Sequence, residues 1–407
     1  LPPVKEADFR IRSSRTTGPA ATLIAPDLAL CRDCLREMLD PADRRYLYPF
    51  LNCTNCGPRY SIVTAIPYDR PATAMRDFAM CEDCRREYDD PGDRRFHAQP
   101  VACPACGPKL RLVEATGREL ASAQAAISQG VELLRGGKIL AIKGLGGFHL
   151  AVDAGSEPAV ARMRLRKGRE EKPFAVMVAD VESARHLAEL TPDEEGLLDS
   201  PAAPIVLVPA RAGNGLARAV APDSSRVGVM LAYTPLHHLL LRQFGGALVM
   251  TSGNLSDEPI CIDNGEALSR LAGIADGFLL HDRDIYVRAD DSVAIWMAGR
   301  LRPLRRSRGY VPRPVLVDGN GPVVLAVGGE LKNAVCLLKE NRGFLGQHLG
   351  DLKSLAGYGF FRENIGHLLK IFAVEPELVV HDLHPAYLST RWAVEEQGVP
   401  TLAVQHH

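Results

Sequence analysis

The feature that most constrains this chain is a pair of Cys-x-x-Cys motifs that recurs after 50 residues. The residues around the motifs repeat as well, because Asp-Pro-Ala-Asp-Arg-Arg at 40–45 returns as Asp-Pro-Gly-Asp-Arg-Arg at 90–95. A duplicated four-cysteine unit therefore occupies the first quarter of the chain. Its eight cysteines are Cys31, Cys34, Cys53, Cys56, Cys81, Cys84, Cys103 and Cys106.

The spacing of the cysteines predicts two structural zinc ions. One Cys-x-x-Cys turn directs two thiolates to one centre, and two such turns complete a tetrahedral sulfur shell that suits zinc. Disulfides are disfavoured because disulfide-dense domains are usually much smaller, and a redox motif would not occur four times in a duplicated frame. Each repeat could close its own site, or the first pair could join the last; local pairing is simpler and is our expectation. Cys261 and Cys336 are predicted to be ordinary core residues.

Composition excludes several classes of protein. The chain is 46% hydrophobic and 24% charged, with a net charge of −1, so it lacks the basic excess typical of nucleic-acid binding. Residues 1–110 carry 16 Lys and Arg against 15 Asp and Glu, so the cysteine unit shares that balance. No apolar run is long enough for a membrane helix, and the start does not resemble an export signal. We expect a cytoplasmic protein.

Hydrophobic patterning predicts an α/β (α+β) fold in several regions. Residues 1–20 are polar and are interpreted as a linker, and 21–115 form the cysteine module. Strands alternate with helices over 118–315, which predicts an α/β domain. A new unit opens near 320 and alternates again to 407. Helices are predicted at 121–136, 157–167, 181–190 and 233–241, and short strands at 174–178, 205–208, 247–250 and 401–404.

Basic and small polar residues cluster at several points in the α/β domain. Lys143 precedes a glycine turn, a basic run covers 164–172, and a second basic run covers 302–308. Thr251-Ser252-Gly253-Asn254 follows directly after a predicted strand, which is where ligand sites form in α/β sheets. Taken singly, each cluster is also compatible with a tight turn, a solvated helix face or a helix cap. Together they suit a triphosphate.

These residues carry a resemblance to two related families. Lys167-Gly168-Arg169 with Lys172-Pro173, followed by 251–254, resembles the Lys-x-Arg and Ser-x-Asn signatures of YrdC-type domains. The order of motifs along the chain is more specific and resembles the HypF carbamoyltransferases of [NiFe]-hydrogenase maturation. That order comprises the cysteine repeat and the segments at 143–150, 171–177, 233–238, 251–259, 305–310, 328–333, 347–351 and 381–385.

The HypF resemblance implies a fold and a reaction. The fold would be a duplicated zinc-ribbon-like module, a YrdC-like domain with a mixed twisted sheet, and the start of a sugar-kinase/actin-type domain. It further implies a fragment that lacks the family's N-terminal acylphosphatase-like domain and most of its transferase domain. The implied activity is formation of carbamoyl-AMP from ATP and carbamate, which derives from carbamoyl phosphate. The carbamoyl group would then pass to the C-terminal cysteine of HypE, for synthesis of the cyanide ligands of the hydrogenase.

The resemblance also implies roles for individual residues. Asp290 and Asp291 would orient basic groups, bind Mg²⁺ or cap a turn, and 328–333 resembles a nucleotide-phosphate loop. His406 resembles the first histidine of a metal motif, but we do not expect it to hold a metal here. The residues expected to supply the positive field for catalysis, together with Mg²⁺, are Lys143, Lys167, Arg169 and Lys172. Those expected to bind the nucleotide are Thr251, Ser252, Asn254, His149, Arg305 and Arg308.

Two other functions remain open from the sequence. The chain could be a threonylcarbamoyl-AMP synthase acting in tRNA modification, although such an enzyme needs neither the cysteine repeat nor the last region. It could also be a non-catalytic zinc scaffold that docks a partner. Formation of a threonine adduct would identify the first, and loss of partner binding without loss of activity on mutating Cys31 would identify a docking role for the repeat.

Overall fold

A computed structural model describes residues 23–256 and 258–406 of the chain. The predicted linker at 1–20 lies outside the described residues. Within them the backbone forms ten α-helices and seventeen β-strands, arranged as a cysteine module and two sheets. No helix in these ranges is both long enough and apolar enough to cross a membrane.

The cysteine module contains two short helices that reflect the sequence repeat. Helix α1 spans Arg32–Leu39 and α2 spans Glu82–Asp89, and each begins directly after the first cysteine of its repeat. Each helix therefore carries the second cysteine of its Cys-x-x-Cys motif on its first turn. The rest of the module is turns and short 3₁₀ segments, at Tyr60–Ile62 and Arg70–Ala72.

The middle region is built on one mixed sheet of eleven strands. Their order is β11-β10-β6-β7-β5-β8-β4-β3-β9-β1-β2, with parallel pairs β10/β6, β5/β7 and β3/β9 and antiparallel pairs elsewhere. The predicted mixed sheet is confirmed. The elements are β1 Leu110–Val113, β2 Glu119–Ser122, α3 Ala123–Arg135, β3 Leu140–Lys143, β4 Phe148–Asp153, α4 Glu157–Lys167, β5 Ala175–Val178, α5 Val181–Leu187, α6 Pro192–Leu198, β6 Ile205–Pro209, β7 Arg226–Leu231, α7 Pro235–Phe244, β8 Leu248–Ser252, α8 Asn264–Arg270, β9 Gly277–His281, β10 Val293–Met297 and β11 Arg300–Arg305.

The two faces of this sheet bury separate hydrophobic clusters because side chains alternate along each strand. In β3, Leu140 and Ile142 join the cluster under α3 and α7, whereas Ala141 joins the cluster on the opposite face. Phe50 and Met38 of the cysteine module belong to the α3 and α7 cluster, so the module shares that core. Strand β1 pairs with β9, which brings 110–113 into the sheet although the sequence pattern grouped them with the cysteines.

The last region forms a second sheet of six strands in the order β12-β15-β14-β13-β16-β17. Strands β13, β16 and β17 run parallel, and β14 and β15 are antiparallel to their neighbours. A third core lies between this sheet and α9, and it takes in Tyr60 and Val63 of the cysteine module. The elements are β12 Val315–Leu316, β13 Val324–Ala326, β14 Cys336–Lys339, β15 Arg342–Leu345, α9 Leu355–Phe372, β16 Leu378–Asp382, α10 Leu388–Glu395 and β17 Thr401–Val404.

Candidate functional site

The eight repeat cysteines form two separate clusters, one in each repeat. Within each cluster the sulfur atoms all lie within 4.8 Å of one another. Each repeat therefore closes its own site, as expected, and the alternative in which the first pair joins the last is wrong. The clusters are Cys31, Cys34, Cys53 and Cys56 in the first repeat, and Cys81, Cys84, Cys103 and Cys106 in the second.

The sulfur geometry of both clusters fits zinc. A tetrahedron with zinc–sulfur bonds of about 2.3 Å has edges of about 3.8 Å between its sulfurs. The Sγ atoms of Cys31 and Cys53 are 3.7 Å apart, and those of Cys81 and Cys103 are also 3.7 Å apart. These spacings are much longer than the sulfur–sulfur bond of about 2 Å in a disulfide. The donor set and its size therefore fit two structural zinc ions.

Most of the predicted basic and polar site residues meet at a cavity of about 610 Å³. The volume lies within the range of small-molecule and cofactor sites. The loop after α4 forms one wall and the end of β8 another, and His348 to Asp351 of the last region complete the lining. The predicted residues that line the cavity are Lys167, Arg169, Lys172, Thr251, Ser252, Asn254, Asp290, Asp291 and Arg305.

Lys167 is held by the Ser-x-Asn loop. Its Nζ atom donates to the backbone oxygens of Ser252 and Asn254, both at 2.7 Å, and to Asn254 Oδ1 at 2.8 Å. Helix α4 ends at this point because Gly168 adopts a left-handed conformation with φ of 63°. Burial, reinforced by the charge of Arg169, lowers the pKa of Lys167 to about 7. Its three oxygen acceptors favour the ammonium form, so Lys167 is poised between two protonation states.

Arg169 lies against the ring of Phe174 beside the same loop. Its Cζ atom is 5.0 Å from the ring centroid, and its Nη1 atom is 3.5 Å from Thr251 Oγ1. Burial and the nearby Arg164 lower the pKa of Arg169 to about 10, which still leaves it charged at neutral pH. Its guanidinium is therefore fixed at the cavity wall as a permanent cation.

Arg164 is a supporting residue that the sequence analysis left without a role. Its Nη1 atom donates to the backbone oxygens of Arg169 at 3.0 Å and Glu170 at 3.1 Å, and its Cζ atom is 4.5 Å from the Phe174 ring centroid. Arg164 thereby shapes the loop that carries Arg169 and Lys172. A basic residue in the last turn of a helix commonly bonds such carbonyls, and this was the available signal.

The last region contributes a histidine to the cavity wall. Burial and the charge of Arg305 lower the pKa of His348 to about 4, so it is neutral at pH 7. Arg305 itself pairs with Asp290. His348 lies within the motif at 347–351. Its position beside the α/β domain was not predictable, because it depends on packing between distant parts of the chain.

Three predicted site residues do not line this cavity. Lys143 is 2% exposed, and its Nζ atom donates to the backbone oxygen of His281 at 3.2 Å. It faces a smaller cavity that Phe50, Tyr233 and Arg283 also line, between the cysteine module and the sheet. Burial lowers the pKa of Lys143 to about 8. The structure thus separates Lys143 from the Lys167 loop.

His149 and Arg308 form a buried network behind the cavity. His149 Nε2 is 2.8 Å from one oxygen of Asp291, and Arg308 Nε donates to the other at 2.7 Å. The Arg308 guanidinium also stacks on Tyr233, 3.5 Å from the ring centroid. Burial would raise the pKa of Asp291, but Arg308 and His149 together hold it well below its usual range. Both residues therefore position Asp291 from behind.

The glycine loop of the last region is shaped by Asn333 of the loop itself and by Ser389 of helix α10. Asn333 Nδ2 donates to Val327 O at 2.8 Å, and Ser389 Oγ donates to Gly328 O at 3.0 Å. A Cβ atom on Gly328 would lie 2.6 Å from the backbone oxygen of Ala334, which excludes larger residues there. His406 hydrogen-bonds Asp382 through Nδ1.

Comparisons with known proteins match all three regions in order. The HypF finger model matches residues 30–63 and 80–113, and the model described as telomere recombination, of the Sua5, YciO and YrdC proteins, matches 132–307. The HypF Kae1-like domain model matches 319–407. The chain is 52% identical to carbamoyltransferase HypF of Synechocystis sp. over 408 residues, covering 100% of this chain and 53% of that protein.

A solved HypF structure also matches this chain in its three-dimensional fold. The crystal structure of full-length HypF in the phosphate- and nucleotide-bound form superposes with a TM-score of 0.91 at 50% identity, covering 94% of this chain and 50% of that one. A shorter match, 31% identical over 150 residues, is to the threonylcarbamoyl-AMP synthase of Mus musculus, covering 36% of this chain and 52% of that protein. The chain spans about half the length of the HypF relatives it matches. With finger, central and Kae1-like regions in the HypF order and at about half sequence identity throughout, the chain belongs to the HypF carbamoyltransferase family.

Proposed function

We propose that this chain makes carbamoyl-AMP from ATP and carbamate, as the adenylation stage of a cytoplasmic carbamoyltransferase. The observation that carries the proposal is the cavity of about 610 Å³, where Lys167, Arg169 and Lys172 converge beside the Ser-x-Asn loop. Its size and its cations suit the triphosphate of a nucleotide. Membership of the HypF family supplies the carbamoyl chemistry.

The reaction needs no covalent nucleophile from the protein. An oxygen of carbamate attacks the α-phosphorus of ATP, the bond to the bridging oxygen of the β-phosphate breaks, and pyrophosphate leaves. The protein must hold two anions together and neutralise the charge that develops on pyrophosphate. Lys167 and Arg169 supply that charge from one wall and Lys172 from the same loop, and Mg²⁺ bound to the nucleotide shares it.

The Ser-x-Asn loop keeps Lys167 in place for this task. Ser252 Oγ donates to Asn254 Oδ1 at 2.7 Å, and the same oxygen accepts from Lys167. Thr251 lies beside Arg169 and completes the polar wall.

Transfer of the carbamoyl group is proposed to follow on a partner. The thiol of the C-terminal cysteine of HypE would attack the carbamoyl carbon, AMP would leave, and a thiocarbamate would form. Carbamoyl phosphate would supply the carbamate for the first stage. The cavity lies between the α/β domain and the last region, so carbamoyl-AMP would form next to both.

Isotope exchange between ATP and pyrophosphate tests the proposal. Exchange should require carbamate, supplied from ammonium bicarbonate, and should fall at least tenfold in Lys167→Ala. Lys143→Ala is the matched comparison, because the structure places Lys143 outside the cavity, away from the catalytic role expected from the sequence, and it should leave the exchange rate within about twofold. Absence of carbamate-dependent exchange in folded, zinc-loaded protein would refute the proposal.

Adding threonine to the reaction tests the main alternative, a threonylcarbamoyl-AMP synthase. The match to a threonylcarbamoyl-AMP synthase covers only the central region, so threonine is expected to add nothing. With threonine, bicarbonate and ATP supplied together, chromatography should detect no threonylcarbamoyl-AMP. Its appearance at a rate above that of carbamoyl-AMP would reassign the chain to tRNA modification.

A further inference from the structure

Arginine side chains of each repeat contact the cysteine cluster of the other repeat. Arg44, in the first repeat, donates through Nη2 to Cys84 Sγ at 3.3 Å and to Glu87 Oε2 at 2.6 Å, both in the second repeat. Its neighbour Arg45 donates through Nη1 to Glu87 Oε1 at 3.0 Å and through Nε to the backbone oxygen of Ala102 at 2.9 Å. The sulfur cluster of the second repeat is therefore contacted by side chains of the first.

The second repeat makes the reciprocal contacts. Arg94 donates through Nη2 to Cys34 Sγ at 3.5 Å and to Glu37 Oε1 at 2.7 Å. Its Nη1 atom lies 3.8 Å from two further sulfurs of the same cluster. Arg95 pairs with Glu37 and donates through Nε to the backbone oxygen of Asn52 at 3.1 Å. Two equivalent sets of contacts are thus related by the sequence repeat.

The turn that carries each arginine pair is shaped by its own repeat. Asp43 Oδ1 accepts from the backbone N–H of Arg45 at 2.7 Å, and Asp93 Oδ1 accepts from that of Arg95 at 2.7 Å. Each turn lies between the second and third cysteines of its repeat. A metal ion that binds those cysteines closes the loop that contains the turn, and it thereby fixes the arginines that point at the other cluster.

These arginines offset the negative charge that accumulates around each zinc site. Four thiolates around Zn²⁺ carry a net charge of −2, and one glutamate beside each cluster adds another negative charge. Arg45 and Arg95 are only 1% and 4% exposed, whereas the side chains of Arg44 and Arg94 are 31% exposed, so water screens the charge of the first pair less than that of the second. The guanidinium groups from the opposite repeat supply the compensation, and their N–H groups donate to the sulfurs.

We propose that the two zinc centres are coupled, so that filling one raises the zinc affinity of the other. Arg44 and Arg94 are the positioning residues that transmit the effect. Contacts outside the ligand shell typically change metal affinity by about 10- to 100-fold. This coupling affects metal loading alone and does not depend on the proposed adenylation activity.

Single substitutions in the full chain test the proposal. In Arg94→Gln, an excess of the chelator 4-(2-pyridylazo)resorcinol should remove zinc from the first-repeat cluster about tenfold faster than in the unaltered protein. Alkylation by N-ethylmaleimide followed by peptide mapping identifies which cysteines are released first. Arg44→Gln should show the mirror result, with the second-repeat cluster released first.

A matched control is available on helix α2. Arg86 forms an exposed ion pair with Asp83 of its own repeat, so Arg86→Gln should leave both release rates unchanged. Arg36 would not serve, because Asp33 pairs with both Arg36 and Arg94. If Arg94→Gln behaves like Arg86→Gln, or if it releases the second-repeat cluster instead, the proposal is overturned.

A double-mutant cycle separates coupling from a local effect. Cys81→Ser with Cys84→Ser abolishes the second cluster and should weaken zinc binding at the first by about tenfold. Adding Arg94→Gln to that chain should then cost little more, because the arginine has already lost its fixed position. A further tenfold loss would show that Arg94 acts independently of the second metal and would overturn the proposal.

Discussion

Lys167 shows how one side chain can combine burial with function. Its ammonium group is bonded to three oxygens of the Ser-x-Asn loop, yet burial lowers its pKa to about 7. Deprotonation therefore occurs within the physiological range, where an ordinary lysine would remain charged. Under the proposed function, ATP brings phosphate charge next to this group and restores the preference for the ammonium form.

We predict that ATP binding takes up a proton above pH 7. The free protein holds Lys167 neutral above its pKa of about 7, and bound phosphate raises that pKa, so affinity should fall as pH rises from 7.5 to 9. The fall should be at most about tenfold per pH unit. Calorimetric titration in buffers of different ionisation enthalpy measures the uptake. Lys167→Arg, which stays charged, should abolish it, and an unchanged proton count in that variant would contradict the assignment.

Arg308 is predicted to be essential for stability. Arg308→Met leaves the carboxylate of Asp291 buried without its main partner, and breaking such a pair costs about 3–5 kcal/mol. Urea unfolding measures the loss. Arg185→Met is the comparison, because Arg185 forms solvent-exposed pairs with Glu182 and Glu195 and should leave the urea midpoint nearly unchanged. Similar costs for the two variants would contradict the role of the buried network.

At the scale of elements, local patterns predicted much of the α/β domain. The helix predicted at 157–167 is α4, Glu157–Lys167, and its end was readable from Gly168. The strand predicted at 247–250 is β8, Leu248–Ser252, which takes in Thr251 and Ser252, so only Gly253 and Asn254 of the predicted polar loop follow it. The position of Lys143 was not readable, because its neighbours Phe50 and His281 come from distant segments and local periodicity carries no information about them.

The role of the glycine turn after Lys143 also depends on a distant segment and was not predictable from the local sequence. It was interpreted alongside the basic residues, but Gly146 packs against the backbone of Ala289, next to Asp290. A Cβ atom on Gly146 would lie 2.2 Å from the oxygen of Ala289. The turn therefore supports the segment that carries the two aspartates.

Gly146→Ala is expected to destabilise the protein by about 1–3 kcal/mol through this clash. Differential scanning calorimetry should show a lower melting temperature. Gly273→Ala is the control, since a Cβ atom there would meet no atom within 4 Å. If both variants melt together, the close packing against Ala289 does not constrain the turn.

At the scale of the whole molecule, the cysteine module is part of two cores. Phe50 and Met38 pack with the central sheet, and Tyr60 packs with the last region. Backbone bonds also cross these boundaries, including Leu30 N–H to Tyr233 O at 3.0 Å and Tyr286 N–H to Ser61 O at 2.7 Å. The order of the regions was predicted from sequence, but this shared packing was not, because no local pattern records which faces meet.

Removal of zinc is therefore predicted to destabilise the entire chain. A chelator should lower the melting temperature of the main unfolding transition, because loss of the metal frees the loops that carry Phe50 and Tyr60. Calorimetry before and after chelation measures the shift. Restoring zinc should reverse it and Mg²⁺ should not; a main transition that is unchanged by chelation would show that the module unfolds independently.

The arginine contacts between the repeats determine what deletion of one repeat would do. Each cysteine cluster receives an arginine from the other repeat, as in an isologous interface between two identical subunits. Deleting either repeat would therefore leave the other with a sulfur cluster whose charge is uncompensated and with arginines that have lost their acidic partner.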